Sequence, residues 1–116
     1  EALREAGIEA RILEEIIREY GPQVLSRREA IEAVIARAAA GGTLQRAARD
    51  LGVHPNTLAR WLEAVGLSPR PLRQQVRARA FELRVEQGMD RNAALDAGGW
   101  TDHDKRRQTL ARLRDG

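Results

Sequence analysis

The chain has 116 residues, of which 42% are apolar, 3% are aromatic and 32% are charged, and its formal net charge is +3. This length suffices for one domain or two very small ones, and the absence of cysteine excludes a disulfide framework and a thiolate metal site. Residues 1–40 hold six basic and eight acidic side chains, whereas residues 41–116 hold 14 and nine. The first part is therefore a poor surface for a polyanion, and the second part is a suitable one.

No stretch of the sequence is suited to a membrane. It contains no run of about 18 apolar residues and no signal-peptide core before a small-residue cleavage site. We therefore expect a cytoplasmic protein with no membrane partner.

Residues 1–22 predict an amphipathic helix that ends at Gly21-Pro22. Its outer face is charged, and its apolar residues recur on one helical face. Two interpretations of this apolar stripe remain open: it closes the core of this chain, or it pairs with its twin in a homodimer. The stripe consists of Ile8, Ile12, Leu13, Ile16, Ile17 and Tyr20.

A second helix is predicted up to Gly41-Gly42, with Ser26 and Glu29 as a capping box at its start. We expect it to pack against the two helices that follow, because two short helices alone bury too little surface to be stable. Its predicted inner face carries Ile31, Val34, Ile35 and Ala38.

Residues 43–66 carry a helix, a tight turn and a second helix in one pattern. Thr43 is the predicted N-cap of the first helix, and Gly52 ends it, since glycine adopts a positive φ without steric cost. His54 then caps the second helix, and Pro55 suits its first position, where no backbone N–H is needed. This arrangement is a helix-turn-helix.

The outer side of the second helix carries side chains suited to duplex DNA. Asparagine can bond adenine in the major groove, arginine can bond guanine or phosphate, and threonine can contact a methyl group. An ordinary helical hairpin with a solvated polar face is the alternative. The candidate DNA-binding residues of the whole motif are Thr43 at the start of the first helix and, at the start of or along the second, His54, Pro55, Asn56, Thr57, Ala59 and Arg60.

This motif resembles the C-terminal helix-turn-helix of Fis and of the NtrC-type response regulators, over about residues 28–67. The resemblance implies sequence-selective binding of double-stranded DNA, usually as a homodimer, with Asn56, Thr57 and Arg60 at the DNA. Residues 61–64 lack the basic side chains that the family usually carries late in the second helix. The matching positions are Gly42, Ala47, Ala48, Leu51, Gly52, Asn56, Thr57, Leu58, Arg60, Gly66 and Leu67.

Pro69 and Pro71 exclude a continuous helix through the next junction, which is the predicted internal boundary. A long helix is predicted from about Pro71 to Gln87, with Leu72, Val76, Ala80, Phe81 and Leu83 inward. Its arginines either contact phosphates or form a solvated face balanced by Glu82 and Glu86. They are Arg73, Arg77, Arg79 and Arg84, of which Arg73 and Arg77 are candidate DNA-binding residues.

The last third predicts a second, degenerate helix-turn-helix. Asp90 caps a short helix that ends at Gly98-Gly99, and Trp100 follows as a buried corner residue. A last helix, capped by Thr101 or Asp102, carries the candidate DNA-binding residues Lys105, Arg106 and Arg107. Two such units joined by a long helix are similar to the paired motifs of AraC-type regulators, and residues 93–100 more faintly resemble the small subunit of phage packaging terminases.

Signals for catalysis are missing from the sequence. His54 and His103 are the only histidines, and neither has a metal-ligand spacing. The glycines lie at helix ends and form no phosphate-binding loop or dinucleotide fingerprint. We expect no enzyme activity, no cofactor, no metal and no small-molecule substrate, and we expect Trp61 and Trp100 to pack in the core.

The sequence thus predicts an all-α helical bundle in three parts: residues 1–22, the helix-turn-helix domain of residues 23–67, and the helix-turn-helix-like unit of residues 68–116. The expected function is sequence-selective binding of double-stranded DNA, most simply by a homodimeric bacterial transcriptional regulator. One alternative is a DNA-binding protein of a phage or mobile element, such as a packaging subunit or a transposase's DNA-recognition domain. Another is a helical adaptor that does not bind DNA.

Overall fold

A computed structural model describes residues 2–100, with side chains from residue 7 onward. These residues form six α-helices and one 3₁₀ segment, with no strand among them, which confirms the predicted all-α class. No helix in this part of the chain is both long and apolar enough to cross a membrane. The elements are α1 (Ala2–Tyr20), the 3₁₀ segment (Pro22–Arg27), α2 (Arg28–Ala39), α3 (Leu44–Leu51), α4 (Pro55–Ala64), α5 (Pro69–Glu86) and α6 (Arg91–Ala97).

The central element is α2, which contacts α1, α3, α4 and α5. Apolar residues lie on more than one side of α2, so each neighbouring helix packs against an apolar surface. Ile31 and Ile35 are almost fully buried. The predicted inner face of this helix is confirmed, and the helix-turn-helix is held by a helix that also supports the rest of the bundle.

The apolar stripe of α1 lies in the same core. Ile8, Ile12, Leu13 and Ile16 are all buried, and Ile17 and Tyr20 pack against the core at its edge. The helix covers α2 and α5 of its own chain. Of the two interpretations of the stripe, the structure shows the first: these residues pack in the core of their own chain.

The predicted capping box at the start of α2 is wrong. The 3₁₀ segment occupies this stretch, and the Ser26 hydroxyl donates to the Gln23 carbonyl instead of accepting from α2. Arg27 takes the N-cap position without a side-chain hydrogen bond. The reason is the preceding Pro22, which starts a tight helical turn of its own and moves Ser26 into that turn.

Helix α5 begins at Pro69, two residues before its predicted start. Both prolines fit in its first turn, where the backbone N–H groups have no partner within the helix. The predicted inner face is confirmed, since Leu72, Val76 and Ala80 are buried in the main core. Phe81 belongs to a smaller cluster farther along the chain.

That smaller cluster joins α5 to α6. Phe81 packs against Ala94 and Leu95, with Trp100 edge-on to the Phe81 ring at a centroid distance of 6.2 Å. The predicted short helix and its Asp90 cap are confirmed, since Asp90 Oδ2 accepts from the Asn92 backbone N–H at 3.1 Å. The last predicted helix, with its candidate residues, lies outside the described residues.

Candidate nucleic-acid interface

The turn between α3 and α4 has the geometry that its sequence predicts. Thr43 Oγ1 accepts from the Arg46 backbone N–H at 3.2 Å and so caps α3. Gly52 ends the helix at φ 71°, and the Val53 N–H donates back to the Ala48 carbonyl at 3.0 Å. This bond pattern closes a helix C-terminus that requires a left-handed residue. The two helices therefore leave the turn in a defined relative orientation.

The start of α4 is capped by His54. Its Nδ1 accepts from the Asn56 backbone N–H at 3.1 Å, and Pro55 occupies the first helical position, as predicted. In a neutral imidazole the other nitrogen then carries the proton, so Nε2 of the exposed His54 ring can donate to a base or a phosphate. The cap thus leaves His54 a hydrogen-bonding group for a partner.

The inner side of α4 is fixed by the core. Leu58 and Leu62 are fully buried, and Trp61 packs at the edge of the same cluster with the Arg27 guanidinium 4.9 Å from its ring centroid. Trp61 packs against the core, as predicted, but remains partly exposed. Rotation of α4 about its axis would expose these apolar side chains, so its outer face is held in one orientation.

Five of the twelve predicted DNA-binding residues lie on the exposed or partly exposed side of α4. Asn56 and Arg60 are exposed and lie four residues apart, which places them on one face of the helix. Pro55, Thr57 and Ala59 are partly exposed beside them. Within the described residues, no intramolecular hydrogen bond holds the Asn56 or Arg60 side chain, so both are available to a partner.

Arg73 and Arg77 lie elsewhere, on α5, and both are bonded within the protein. Arg73 Nε donates to the Gly42 carbonyl at 2.7 Å, and Arg77 Nε donates to the Gly98 carbonyl at 2.6 Å. Burial and the neighbouring positive charge of Arg73 lower the pKa of Arg77. Both side chains thus bond glycine carbonyls beyond the ends of α2 and α6, and the Gly42 carbonyl that Arg73 binds directly precedes Thr43. Lys105, Arg106 and Arg107 fall outside the described residues.

Two arginines that the sequence analysis passed over lie on the exposed side of α3. Arg46 and Arg49 are three residues apart and both exposed. The first helix of a helix-turn-helix crosses the DNA backbone, so cations here can contact phosphates. In the sequence, their positions on the helical face opposite Ala47 and Ala48, which are buried, indicate that both arginines are exposed.

An ion pair fixes α3 on α2 from the outside. Arg37 donates to the Asp50 carboxylate across the two helices, and this hydrogen bond lowers the pKa of Asp50. Asp50 therefore stays ionised near neutral pH and partly offsets the charge of the arginines around it. The candidate surface is basic on α3 and mixed in chemistry on α4.

Comparison with known proteins agrees with this geometry. A helix-turn-helix family described as Transposase matches residues 27–93, which is more than half of the chain. The match covers α2 to α5 and the start of α6. No curated protein and no solved structure matches the chain.

Proposed function

Because this chain belongs to the helix-turn-helix transposase family, we propose that it is the DNA-recognition protein of a mobile element. Membership of this family supports binding of double-stranded DNA. The proposal adds that the DNA recognised belongs to a mobile element. In it, α4 enters the major groove of a preferred sequence on the element, and α3 lies along the phosphate backbone.

The main observation in support of the proposal is the chemistry of the outer face of α4. Asn56 and Arg60 combine exposure with a helix whose rotation is fixed by buried Leu58 and Leu62. Asparagine can bond adenine and arginine can bond guanine, each with two hydrogen bonds. Thr57 and Ala59 beside them offer methyl groups to thymine. Glu63, one further turn along, can accept from cytosine, so the face has partners for all four bases.

The extent of the family match favours a mobile-element role over a regulatory one. The resemblance to Fis and NtrC-type proteins is confined to residues 28–67, whereas the family match continues through α5 to residue 93. A transcriptional regulator would use the same DNA-binding face, so the two roles differ in the site recognised. In our proposal the chain binds DNA, and it does not itself carry out catalysis.

A homodimer remains part of the proposal, because two half-sites multiply specificity. The apolar stripe of α1 is buried against α2 and α5, so a dimer would use a surface other than this stripe. Two half-sites about 10 base pairs apart in the bound DNA would support a dimer.

The test is selection of bound duplexes from a randomised library with the full chain, followed by Arg60→Ala. We expect a recovered motif, and we expect Arg60→Ala to weaken binding to it by about 1–3 kcal/mol if Arg60 bonds a base with two hydrogen bonds. The matched control is Arg18→Ala, which removes one exposed arginine from α1 and should leave affinity unchanged.

Other results would contradict this assignment. An equal loss of affinity for all sequences in Arg60→Ala would show that Arg60 contacts phosphate only. No binding even at low salt would overturn the DNA function and favour the helical adaptor. If the recovered motif lies at promoters and not at the ends of a mobile element, the regulatory role is the correct one.

A further inference from the structure

The arginines in the first part of α5 differ in whether a carboxylate neutralises them. Residues 69–81 hold four arginines and no acidic residue. Arg79 pairs with Glu15 of α1 and with Glu82 of its own helix. The other three form no ion pair within the described residues, and their spacing of three and four places them on one face of α5. We call them the arginine stripe: Arg70, Arg73 and Arg77.

Two members of the arginine stripe are held in place by backbone carbonyls. Arg73 Nε donates to the Gly42 carbonyl at 2.7 Å. One helical turn later, Arg77 Nε donates to the Gly98 carbonyl at 2.6 Å, and its guanidinium lies 4.0 Å from the centroid of the Trp100 ring. Within the described residues, Nη1 of Arg73 and both Nη atoms of Arg77 hold no hydrogen bond. Each ordered guanidinium therefore keeps N–H donors for a further acceptor.

The positive charge of the arginine stripe has no counterpart in this part of the protein. Burial and then the neighbouring charge of Arg73 lower the pKa of Arg77, whereas the hydrogen bond to Glu15 raises the pKa of Arg79. Carbonyl groups accept hydrogen bonds but carry no net charge, so they leave the repulsion between Arg73 and Arg77 in place. An anion bound at the stripe would offset this repulsion, because it favours the charged form of both side chains.

The arginine stripe lies beside the start of α3. Gly42, whose carbonyl Arg73 binds, directly precedes Thr43, the N-cap of α3. The backbone N–H of Arg46 donates to Thr43 Oγ1, and the Arg46 side chain is exposed. Since α3 is the helix that crosses the phosphate backbone in this motif, the stripe adjoins the surface that we expect to face phosphates.

We propose that Arg70, Arg73 and Arg77 bind phosphodiester oxygens of the duplex next to the start of α3, so that contact with the DNA backbone extends beyond the helix-turn-helix onto α5. The inference rests on the proposed DNA function and extends it to a second helix face. Phosphate contacts position a protein on the duplex without reading its sequence. The arginine stripe thus contributes affinity and register, and α4 selects the site.

The first test measures the salt dependence of binding with the full chain, a duplex that carries the selected motif and a duplex that lacks it. The variant R70Q/R73Q/R77Q should weaken binding to both duplexes by the same factor. The slope of log affinity against log salt should fall by up to about 3, with about 0.9 for each lost phosphate contact. The matched control is Arg79→Gln, which removes an arginine of the same helix that Glu15 already neutralises and should leave the slope unchanged.

The second test separates phosphate binding from a purely structural role. Single phosphates of the motif duplex are replaced, one at a time, by uncharged methylphosphonates. The unaltered protein should lose affinity at phosphates next to those that α3 contacts, and Arg73→Gln should be insensitive to replacement of one of them. Arg73→Lys, which retains a cationic donor, should recover part of this sensitivity.

Arg70→Gln keeps the tests decisive if changes at the carbonyl-bonded arginines prevent folding. Arg70 is exposed, and its side chain forms no hydrogen bond within the described residues. Circular dichroism checks that the variant is folded. We expect its salt slope to fall by about 0.9 and its sensitivity to disappear at a single phosphate.

An unchanged salt slope in R70Q/R73Q/R77Q would overturn the inference, or in Arg70→Gln if the triple variant does not fold. Variants as sensitive to every methylphosphonate as the unaltered protein would overturn it too, and Arg73 and Arg77 would then only fix helix ends. In each case recognition of the motif by α4 would stand. Failure of the proposed DNA function looks different: no motif is selected, and the unaltered protein binds no duplex at low salt.

Discussion

A buried guanidinium is stable only where oxygen atoms accept its hydrogen bonds, and Arg84 meets this condition. It is 2% exposed, the only charged side chain among the described residues that is buried, and its Nη1 donates to the Ala39 carbonyl at 2.8 Å. Ala39 is the last residue of α2, whose final carbonyls have no partner within the helix. Arg84 therefore supplies a hydrogen-bond donor to the C-terminal end of α2, which packing shields from water.

Arg84→Met tests this contribution at the scale of one residue. The variant keeps an unbranched side chain in place and removes the donor, so the Ala39 carbonyl is left without it. We expect the free energy of unfolding to fall by about 1–3 kcal/mol, measured by urea denaturation followed by circular dichroism. The matched control, Arg70→Met, alters an exposed arginine at the start of the same helix. Equal unfolding midpoints for the two variants would contradict this role of Arg84.

At the scale of elements, α1 and α5 are joined by a charge pair as well as by the core. The Arg79 guanidinium donates to both carboxylate oxygens of Glu15, with Nε 3.0 Å from Oε1 and Nη2 3.0 Å from Oε2, and it also contacts Glu82 at 3.0 Å. The hydrogen bond from Arg79 lowers the pKa of Glu15, and the same contact raises the pKa of Arg79. The pair is partly exposed, so water weakens it.

The pair predicts a pH dependence of stability. Because the folded state lowers the pKa of Glu15 below its ordinary 4.5, its contribution is complete above that value and is lost as pH falls through the lower, folded value. We expect Glu15→Gln to reduce the free energy of unfolding near neutral pH by at most about 1 kcal/mol. The difference from the unaltered protein should shrink below pH 4.5.

Glu14→Gln is the control for this prediction, since Glu14 is exposed on the same helix. The measurement is chemical denaturation of all three proteins at pH 7 and at several acidic values. A difference between Glu15→Gln and the unaltered protein that stays constant with pH would show that ionisation of Glu15 contributes nothing to the α1–α5 contact.

At the scale of the whole molecule, α1 and α5 share one apolar core with the helix-turn-helix. Ile12 and Val76, from these two helices, lie in the same cluster as Leu58 of α4. The outer face of α4, the proposed DNA-binding surface, consequently depends on helices on either side of it in the sequence. Polar substitutions of the buried residues of α1 should therefore weaken DNA binding by unfolding the protein, without altering the preferred sequence.

Ile12→Asp tests this dependence. Ile12 is 3% exposed, and an unpaired carboxylate there would be costly to bury, so we expect loss of helical structure and of DNA binding together. Circular dichroism and a mass measurement in solution check the result. Ala10→Asp, at an exposed position of α1, should leave both properties unchanged. A folded Ile12→Asp monomer obtained from a dimer of the unaltered protein would instead place the stripe in a subunit interface.

Local sequence patterns correctly predicted α1 to α6, the caps of α3, α4 and α6, and the inward faces of α1, α2 and α5. Thr43, Gly52, His54 and Pro55 have their predicted roles because caps and turns depend on residues only a few positions apart. The outer face of α4 followed from the same local spacing, which also separates buried Leu58 from exposed Arg60. The capping box at Ser26 failed because a competing local turn began at Pro22.

The partner that each side chain meets depends on the tertiary structure. The arginines of α5 are alike in the sequence, yet Arg84 is buried against α2 and Arg79 pairs with α1. Arg73 and Arg77 instead bond the carbonyls of Gly42 and Gly98. The apolar stripe of α1 was equally suited to a core or a dimer until its partner helices were known. Helical periodicity specifies which face a residue occupies, whereas its partner depends on which distant segments the fold brings against that face.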